Sequence, residues 1–258
     1  MQDRFMVFDG VHNFRDFGGY ATGLGRIKRG RLFRSAHFAQ ASPSDIARLD
    51  ALGCAFLVDL RRPVERARQP NRWPGPNVMT HASNSGNEAA EPPHIAFLRS
   101  DDLSVAGVDV FMRGIYREMP FTPEHIGLFR AFFEGAMAGK GAGIVHCAAG
   151  KDRTGLLCAL VLTALGASED DVLADYERTN HSPQFETRLA AFHRDLEARL
   201  ARQVDIKALR PFAGVSADWL KDAFAQIRAR HGSIEGYLEN ALGLGPDWRG
   251  PLAAALIE

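Results

Sequence analysis

"GIVHCAAGKDRTG", Gly143 to Gly155, is the stretch that decides the reading of this chain. An apolar run of strand character ends in His146 and Cys147. Small residues and a glycine follow, then Lys151-Asp152-Arg153-Thr154-Gly155, then the helix-like "LLCALVLTALG". The order is strand, tight loop, helix, with one cysteine where the strand gives way to the loop. Backbone N–H groups at a helix N-terminus have no intrahelical partner, and the helix dipole puts partial positive charge there, so such a loop is an anion site. Ala148, Ala149 and Gly150 carry little or no side chain, which lets the backbone curl and aim successive N–H groups inward. Arg153 follows Cys147 by six positions, so across a semicircular loop its guanidinium can hold two oxygens of a phosphoryl group.

The same field acts on sulfur. Thiols at helix N-termini and beside cations ionise more readily than a free cysteine. Cys147 is thus read as a nucleophile aimed at whatever fills the nest. A tetrahedral oxyanion held there invites in-line attack on phosphorus, a phosphocysteine intermediate and hydrolysis of that intermediate by water. Thr154 is placed to donate to the departing thiolate, and His146 to orient the loop. The plain alternative for a lone cysteine is a small buried hydrophobe. It fits Cys54 and Cys158, neither of which has an arginine six residues on. A nucleotide phosphate loop of the G-x4-G-K-[ST] type fails, because Val145 stands at its first glycine and Asp152 follows the lysine. There is no HExxH, and the nine histidines lack ligand spacing, so neither a metal nor a cofactor is called for.

Outward from the loop, the pattern alternates. "RLFRS", Arg31 to Ser35, reads as a short strand. "SPSDIARLDALG" reads as a helix with Ser42 or Ser44 as cap and Gly53 as stop, and "CAFLVDL" as a buried parallel strand. Thr122 and Pro123 open a helix whose apolar stripe is Leu128, Phe129, Phe132, Phe133, Ala136 and Met137. Ser168 with Asp171 starts another, and residues 168–258 are mainly helical. Between Pro63 and Gly107, prolines and small polar residues dominate; residues 63–107 are read as a lid or long excursion. The expectation is one α/β domain over 1–258: a central, mostly parallel sheet flanked by helices, with a helical C-terminal part.

Bulk composition excludes several classes. Lys+Arg and Asp+Glu are 31 each, so nothing global attracts nucleic acid or a membrane surface. Three scattered cysteines make no disulfide framework and fit a reducing compartment. No leader pattern opens the chain and no apolar run reaches the roughly 20 residues of a membrane helix. A cytoplasmic protein without an integral membrane segment is expected; export without a leader and the oligomeric state stay open.

"HCAAGKDRT" resembles the H-C-x5-R-[ST] signature of cysteine-dependent phosphatases, and its Lys-Asp variant is similar to the bacterial atypical tyrosine phosphatases, a branch that includes phosphoinositide phosphatases. "NFRDFGGY", "GRLFRSAHF", "FLVDLRRPVE", "ADYERTN" and "HGSIEGYLENALGL" resemble that family's segments in its usual order. The resemblance implies a cysteine-phosphatase fold, Cys147 as nucleophile, Arg153 as phosphate clamp, and Ala148, Ala149, Gly150, Lys151 and Asp152 as the cradle. Lys151 matches a cation found in members acting on phosphoinositides; otherwise it is a solvated lysine adding positive potential. The family's usual Trp-Pro-Asp acid is missing, since "RWPG" lacks the aspartate.

Three places can supply an acid. Asp152 sits beside the bound phosphate, whose charge favours a protonated carboxyl; failing that it orients Arg153 or caps the helix. Asp59 faces the loop in this branch, or else is a strand-end carboxylate paired to Arg61 or Arg15. Asp101 or Asp102 can swing in from the excursion. Asp152 leads, then Asp59. Arg15, Asp16 and Arg34 are expected to buttress the loop. The function implied is a phosphomonoester hydrolase: a protein-tyrosine phosphatase first, with dual specificity toward phosphoserine or phosphothreonine and activity on phosphoinositides as further options. Its partners would be a phosphorylated protein or phosphoinositide. The rivals are a phospho-ligand reader that does not turn over, and thiol redox or arsenate-type chemistry, which the absence of C-x-x-C disfavours.

Overall fold

The computed structural model describes residues 4–85, 97 and 104–258. Its central sheet has five strands in the order β1-β4-β7-β5-β6: β1 (Arg15–Asp16), β4 (Leu32–Ser35), β7 (Ala142–His146), β5 (Cys54–Asp59) and β6 (Met79–Ala82). β1 runs antiparallel to β4, and every other pair is parallel. A two-stranded ribbon, β2 (Ala21–Thr22) with β3 (Gly25–Arg26), lies apart. β7 is central. Its last residue, His146, pairs with Ser35 on one side and Asp59 on the other, so three carboxyl-terminal strand ends line up where the loop begins. That is where α/β sheets place their sites.

Period-two alternation sends Phe56, Val58 and Val145 to one face and Leu57, Ile144 and Phe33 to the other. The second face is closed by the N-terminal segment and α1 (Pro43–Asp50). Ser42 caps that helix in a capping box with Asp45, whose buried carboxylate also takes the backbone N–H groups of Asp9 and Gly10. The first face carries the larger core. It includes α4 (Pro123–Met137), opened by Thr122 and Pro123, and α5 (Asp152–Ala164), buried at every position from Thr154 to Leu162. A helix apolar all round belongs in the interior.

α3 (Val105–Glu118) packs under this core with α9 (Ala217–His231), Trp219 Nε1 donating to Asp109 at 2.7 Å. After α5 the described elements are helical: α6 (Glu169–Glu177), α7 (Phe185–Leu200), α8 (Ile206–Ala213), α9, α10 (Ile234–Asn240) and α11 (Arg249–Leu256). Among the described residues, no helix is long and apolar enough to cross a membrane.

The excursion needs correction. Part of 63–107 is regular structure: α2 (Pro63–Arg68) starts at a helix-favouring proline, and β6 is a sheet edge. Edge strands bury little, and "MTHA" is largely exposed, so no apolar pattern announces it. Residues 86–96 and 98–103, with Asp101 and Asp102, lie outside the described residues.

Candidate active site

The loop from Cys147 to Lys151 is held by its carbonyl oxygens, which face outward. His146 Nδ1 donates to Cys147 O at 3.1 Å, and His37 N to Ala148 O at 3.3 Å. Asn13 Nδ2 donates to Gly150 O at 2.9 Å and to Ala149 O at 3.4 Å, while Arg34 Nη2 reaches Gly150 O at 3.0 Å. The N–H groups of Ala148, Ala149, Gly150 and Lys151 have no protein acceptor among the described residues. Carbonyls out and free N–H groups in is an anion nest capped by the N-terminus of α5. Gly150 makes the turn at φ +67°, and a Cβ there would stand 2.3 Å from Ser35 O.

Cys147 is 2% exposed at the centre of this ring. The guanidiniums of Arg153, Arg34 and Arg188 are all close enough for their charges to interact with its sulfur. Arg153 is anchored end-on: Nη1 donates to Glu65 Oε2 at 2.7 Å and to Leu60 O at 2.9 Å, and Nη2 to Glu65 Oε1 at 2.8 Å. Those three bonds leave the Nε–H and one Nη2–H, which share the other edge of the guanidinium and form a two-point donor for paired oxygens. Burial alone would raise Glu65, but the Arg153 hydrogen bonds outweigh it and hold the carboxyl down at about 2. Glu65 also accepts the N–H of Arg62 at 2.7 Å, so one carboxylate both caps α2 and aims Arg153.

His146 is fully buried, and burial pushes it down to about 4, so it is neutral at pH 7. Because a carbonyl only accepts, Nδ1 carries the ring proton, and Nε2 takes Asn71 Nδ2 at 3.2 Å. The expected orienting role thus has a geometry. Thr154 Oγ1 is buried without a hydrogen-bond partner, and no bond to Cys147 is present.

Behind the loop, Arg15 and Arg34, both fully buried, share Asp175 of α6: Arg34 Nη1 at 3.1 Å and Arg15 Nε at 3.8 Å from its oxygens. Arg15 also donates to Asn13 Oδ1 at 2.6 Å, linking the carboxylate to the side chain that holds the loop. Burial, with Arg34 beside it, pushes Arg15 down to about 9, the sign of two cations sharing one anion. Asp175→Asn is expected to cost about 3–5 kcal/mol of stability, the range for breaking a buried pair. Urea unfolding reads it directly, and a loss under about 1 kcal/mol would show that the two arginines find other partners.

Several expectations are corrected here. Asp16 does not support the loop: neighbouring strand residues point to opposite faces, so Arg15 faces the loop while Asp16 accepts the N–H groups of Gly18 and Gly30. Asp59 is 2% exposed and gives both oxygens to Arg61, at 2.7 to 3.1 Å. Burial would raise it, but the Arg61 guanidinium hydrogen-bonded to both oxygens holds it below the usual carboxylate range, an arrangement for an anchor and not for a proton donor. Lys151 is not solvated. Its Nζ donates to Phe212 O at 2.8 Å, to Gly214 O at 3.1 Å and to Asp152, so its three N–H bonds go to the chain. Asp152, the first residue of α5, accepts Tyr116 Oη at 2.9 Å and lies 3.0 Å from Lys151 Nζ.

Glu65, Asn13, Asp175, Tyr116 and Arg188 escaped the sequence reading. The first three stand in "FLVDLRRPVE", "NFRDFGGY" and "ADYERTN", quoted above without individual roles. Tyr116 and Arg188 lie on helices whose patterns give no sign of the site.

The chain matches the tyrosine phosphatase family over residues 6–258. A Cupriavidus necator protein whose name assigns it to the tyrosine-protein phosphatases is 34% identical, over 92% of this chain and 84% of its own length. The triple specificity protein phosphatase PtpB of Mycobacterium tuberculosis is 32% identical, over 90% of this chain and 92% of its own. A tyrosine-protein phosphatase of Nostoc commune is 24% identical over 80% of this chain and 68% of its own.

Proposed function

This chain belongs to the tyrosine phosphatase family, and we propose from that premise that it hydrolyses phosphotyrosine esters through a phosphocysteine formed on Cys147. The observation that carries the mechanism is the pairing of a nest of unpartnered N–H groups with the free edge of Arg153, around one buried thiol. A phosphoryl group seated there has three oxygens to place. The backbone of Ala148 to Asp152 takes them from below and Arg153 from the side, leaving phosphorus facing the sulfur. As the S–P bond forms, charge moves onto the leaving oxygen, and Asp152 at the rim supplies its proton. In the second step a water attacks the phosphocysteine and gives its proton back to Asp152. Thr154, with a hydroxyl no protein group claims, stabilises the departing thiolate.

Phosphoserine, phosphothreonine and phosphoinositides are further substrates in this reading, supported by the relative named for triple specificity. Lys151 contributes charge behind the loop rather than a direct bond, since its donors are occupied. We place the protein in the cytoplasm as one phosphatase unit, consistent with three free cysteines.

The test is phosphate release in the presence of chelator from a phosphotyrosine peptide, a phosphoserine peptide and phosphoinositide vesicles. Chelator-resistant release, greatest from phosphotyrosine, is expected. Binding without release from all three would make the loop a reader, and loss of activity in chelator would overturn the metal-free route.

A further inference from the structure

Asp152 is reached by two buried tyrosines to which the reaction just described gives no task. Tyr116 of α3 is fully buried and its Oη donates to Asp152 Oδ1 at 2.9 Å. Tyr176, in the last turn of α6, is 1% exposed and donates to Tyr116 Oη at 2.6 Å. Burial, with Asp152 nearby, raises both phenols well above their ordinary range, so neither loses its proton near neutral pH. The pair is a neutral donor chain that ends on one oxygen of one carboxyl.

Its placement follows from the loop motif. A Cβ at Gly155 would stand 2.8 Å from two ring carbons of Tyr176. The glycine that closes "KDRTG" therefore lets that ring lie against the first turn of α5. The preceding residue, Asp175, takes Arg34, which donates to the Gly150 carbonyl, and Arg15, which holds the Asn13 side chain that does the same. Two consecutive residues of α6 thus support the loop from behind and Asp152 from beneath.

Resting on the reading of Asp152 as the acid, we propose that Tyr116 is a positioning residue that reserves Oδ2 of Asp152 for proton transfer, with Tyr176 holding Tyr116 in place. Oδ1 accepts from the phenol throughout, so the transferable proton sits on Oδ2. In the first step the S–P bond forms, the P–O bond to the leaving group breaks, and the Oδ2 proton passes to the departing oxygen. In the second, a water oxygen bonds phosphorus, the S–P bond breaks, and the water's proton goes to Oδ2. Lys151 Nζ lies 3.0 Å from Oδ2 in the resting arrangement and keeps the carbonyls of Phe212 and Gly214 when that oxygen is protonated. Without the phenol the carboxyl turns and its proton occupies either oxygen.

The test compares phenyl phosphate, whose leaving group needs an acid, with p-nitrophenyl phosphate, whose leaving group needs little help. Tyr116→Phe is expected to lower kcat/KM, which reports the leaving-group step and not the shared hydrolysis of the phosphocysteine, about tenfold on the first and less than about threefold on the second. Tyr176→Phe should show the same pattern at roughly threefold and under twofold, because it acts one bond further away. In an Asp152→Asn background, Tyr116→Phe should add no further loss, which a purely structural role would not give. If Asp152→Asn itself leaves the ratio between the two substrates unchanged, the acid assignment falls and the role of Tyr116 falls with it. If Asp152→Asn is selectively slow on phenyl phosphate while Tyr116→Phe is unaffected, or equally slow on both, the positioning role alone is overturned.

Discussion

Cys147→Ser is expected to stop phosphate release by a factor on the order of 10⁴ or more while leaving phosphotyrosine-peptide binding within about threefold of wild type. The sulfur and the cradle have separate tasks. A serine hydroxyl stays protonated near neutral pH and has no neighbouring base here: His146 is turned to the Cys147 carbonyl and neutral, and Asp59 is given over to Arg61. Without a thiolate no S–P bond forms. The N–H groups of Ala148 to Lys151 and the free edge of Arg153 are untouched, because the loop is held by Asn13, Arg34 and His37 acting on carbonyls and not by the thiol. Release and binding should therefore part company. Phosphate-release assays and peptide titration on the same preparation measure both, and acid-quenched wild type should carry phosphate on Cys147. Release from the serine variant above about 1% of wild type would rule out the phosphocysteine route.

That separation also marks what could be read from the chain. The nest was legible because it is local: strand, small residues, glycine and helix follow one another within thirteen positions, from Gly143 to Gly155, and each residue type has one physical reason to be there. The central strands and α4 were legible for the same reason, since apolar periodicity and caps are properties of short windows. Glu65 was not. Its partner Arg153 is 88 positions away, and "RPVE" looks like any exposed helix start. Asp175 lies 160 positions from Arg15, so a buried carboxylate shared by two arginines appears in sequence as an ordinary acidic helix residue. α3 hid for another reason: "VAGVDVFMRGIYRE" carries two glycines and three valines, poor helix formers that tertiary packing overrides. For Lys151 the sequence left a loop cation and a solvated lysine open, because the carbonyls of Phe212 and Gly214 that take its ammonium lie more than sixty positions away. For Glu65, Asp175 and Lys151 alike the deciding contact comes from a distant element.

Arg153 and Glu65 give the sharpest test of such a distant contact. Arg153→Lys is expected to lower kcat/KM by roughly 10²–10³, near the cost of losing a preorganised donor to transition-state charge. An ammonium keeps the charge but is a single point; it cannot hold a carboxylate on one edge and two phosphoryl oxygens on the other. Glu65→Gln should cost less, about tenfold, because Arg153 keeps its charge and its bond to Leu60 O but loses the charge-assisted fork that fixes its plane. The loss should appear mainly in kcat, since the planar clamp matters most as the phosphoryl group flattens. Glu65 also ties the site to acid stability. Its folded value of about 2 lies below the ordinary 4.5, so the pair stabilises the fold above that ordinary value and loses its contribution as pH falls toward 2. Glu65→Gln should therefore narrow the gap between unfolding midpoints measured at pH 7 and pH 3, with the variant less stable at pH 7 and nearer to wild type at pH 3. A variant with wild-type kcat and an unchanged pH profile would mean that Leu60 O and the burial of the guanidinium suffice to aim Arg153, and that the fork is incidental to catalysis.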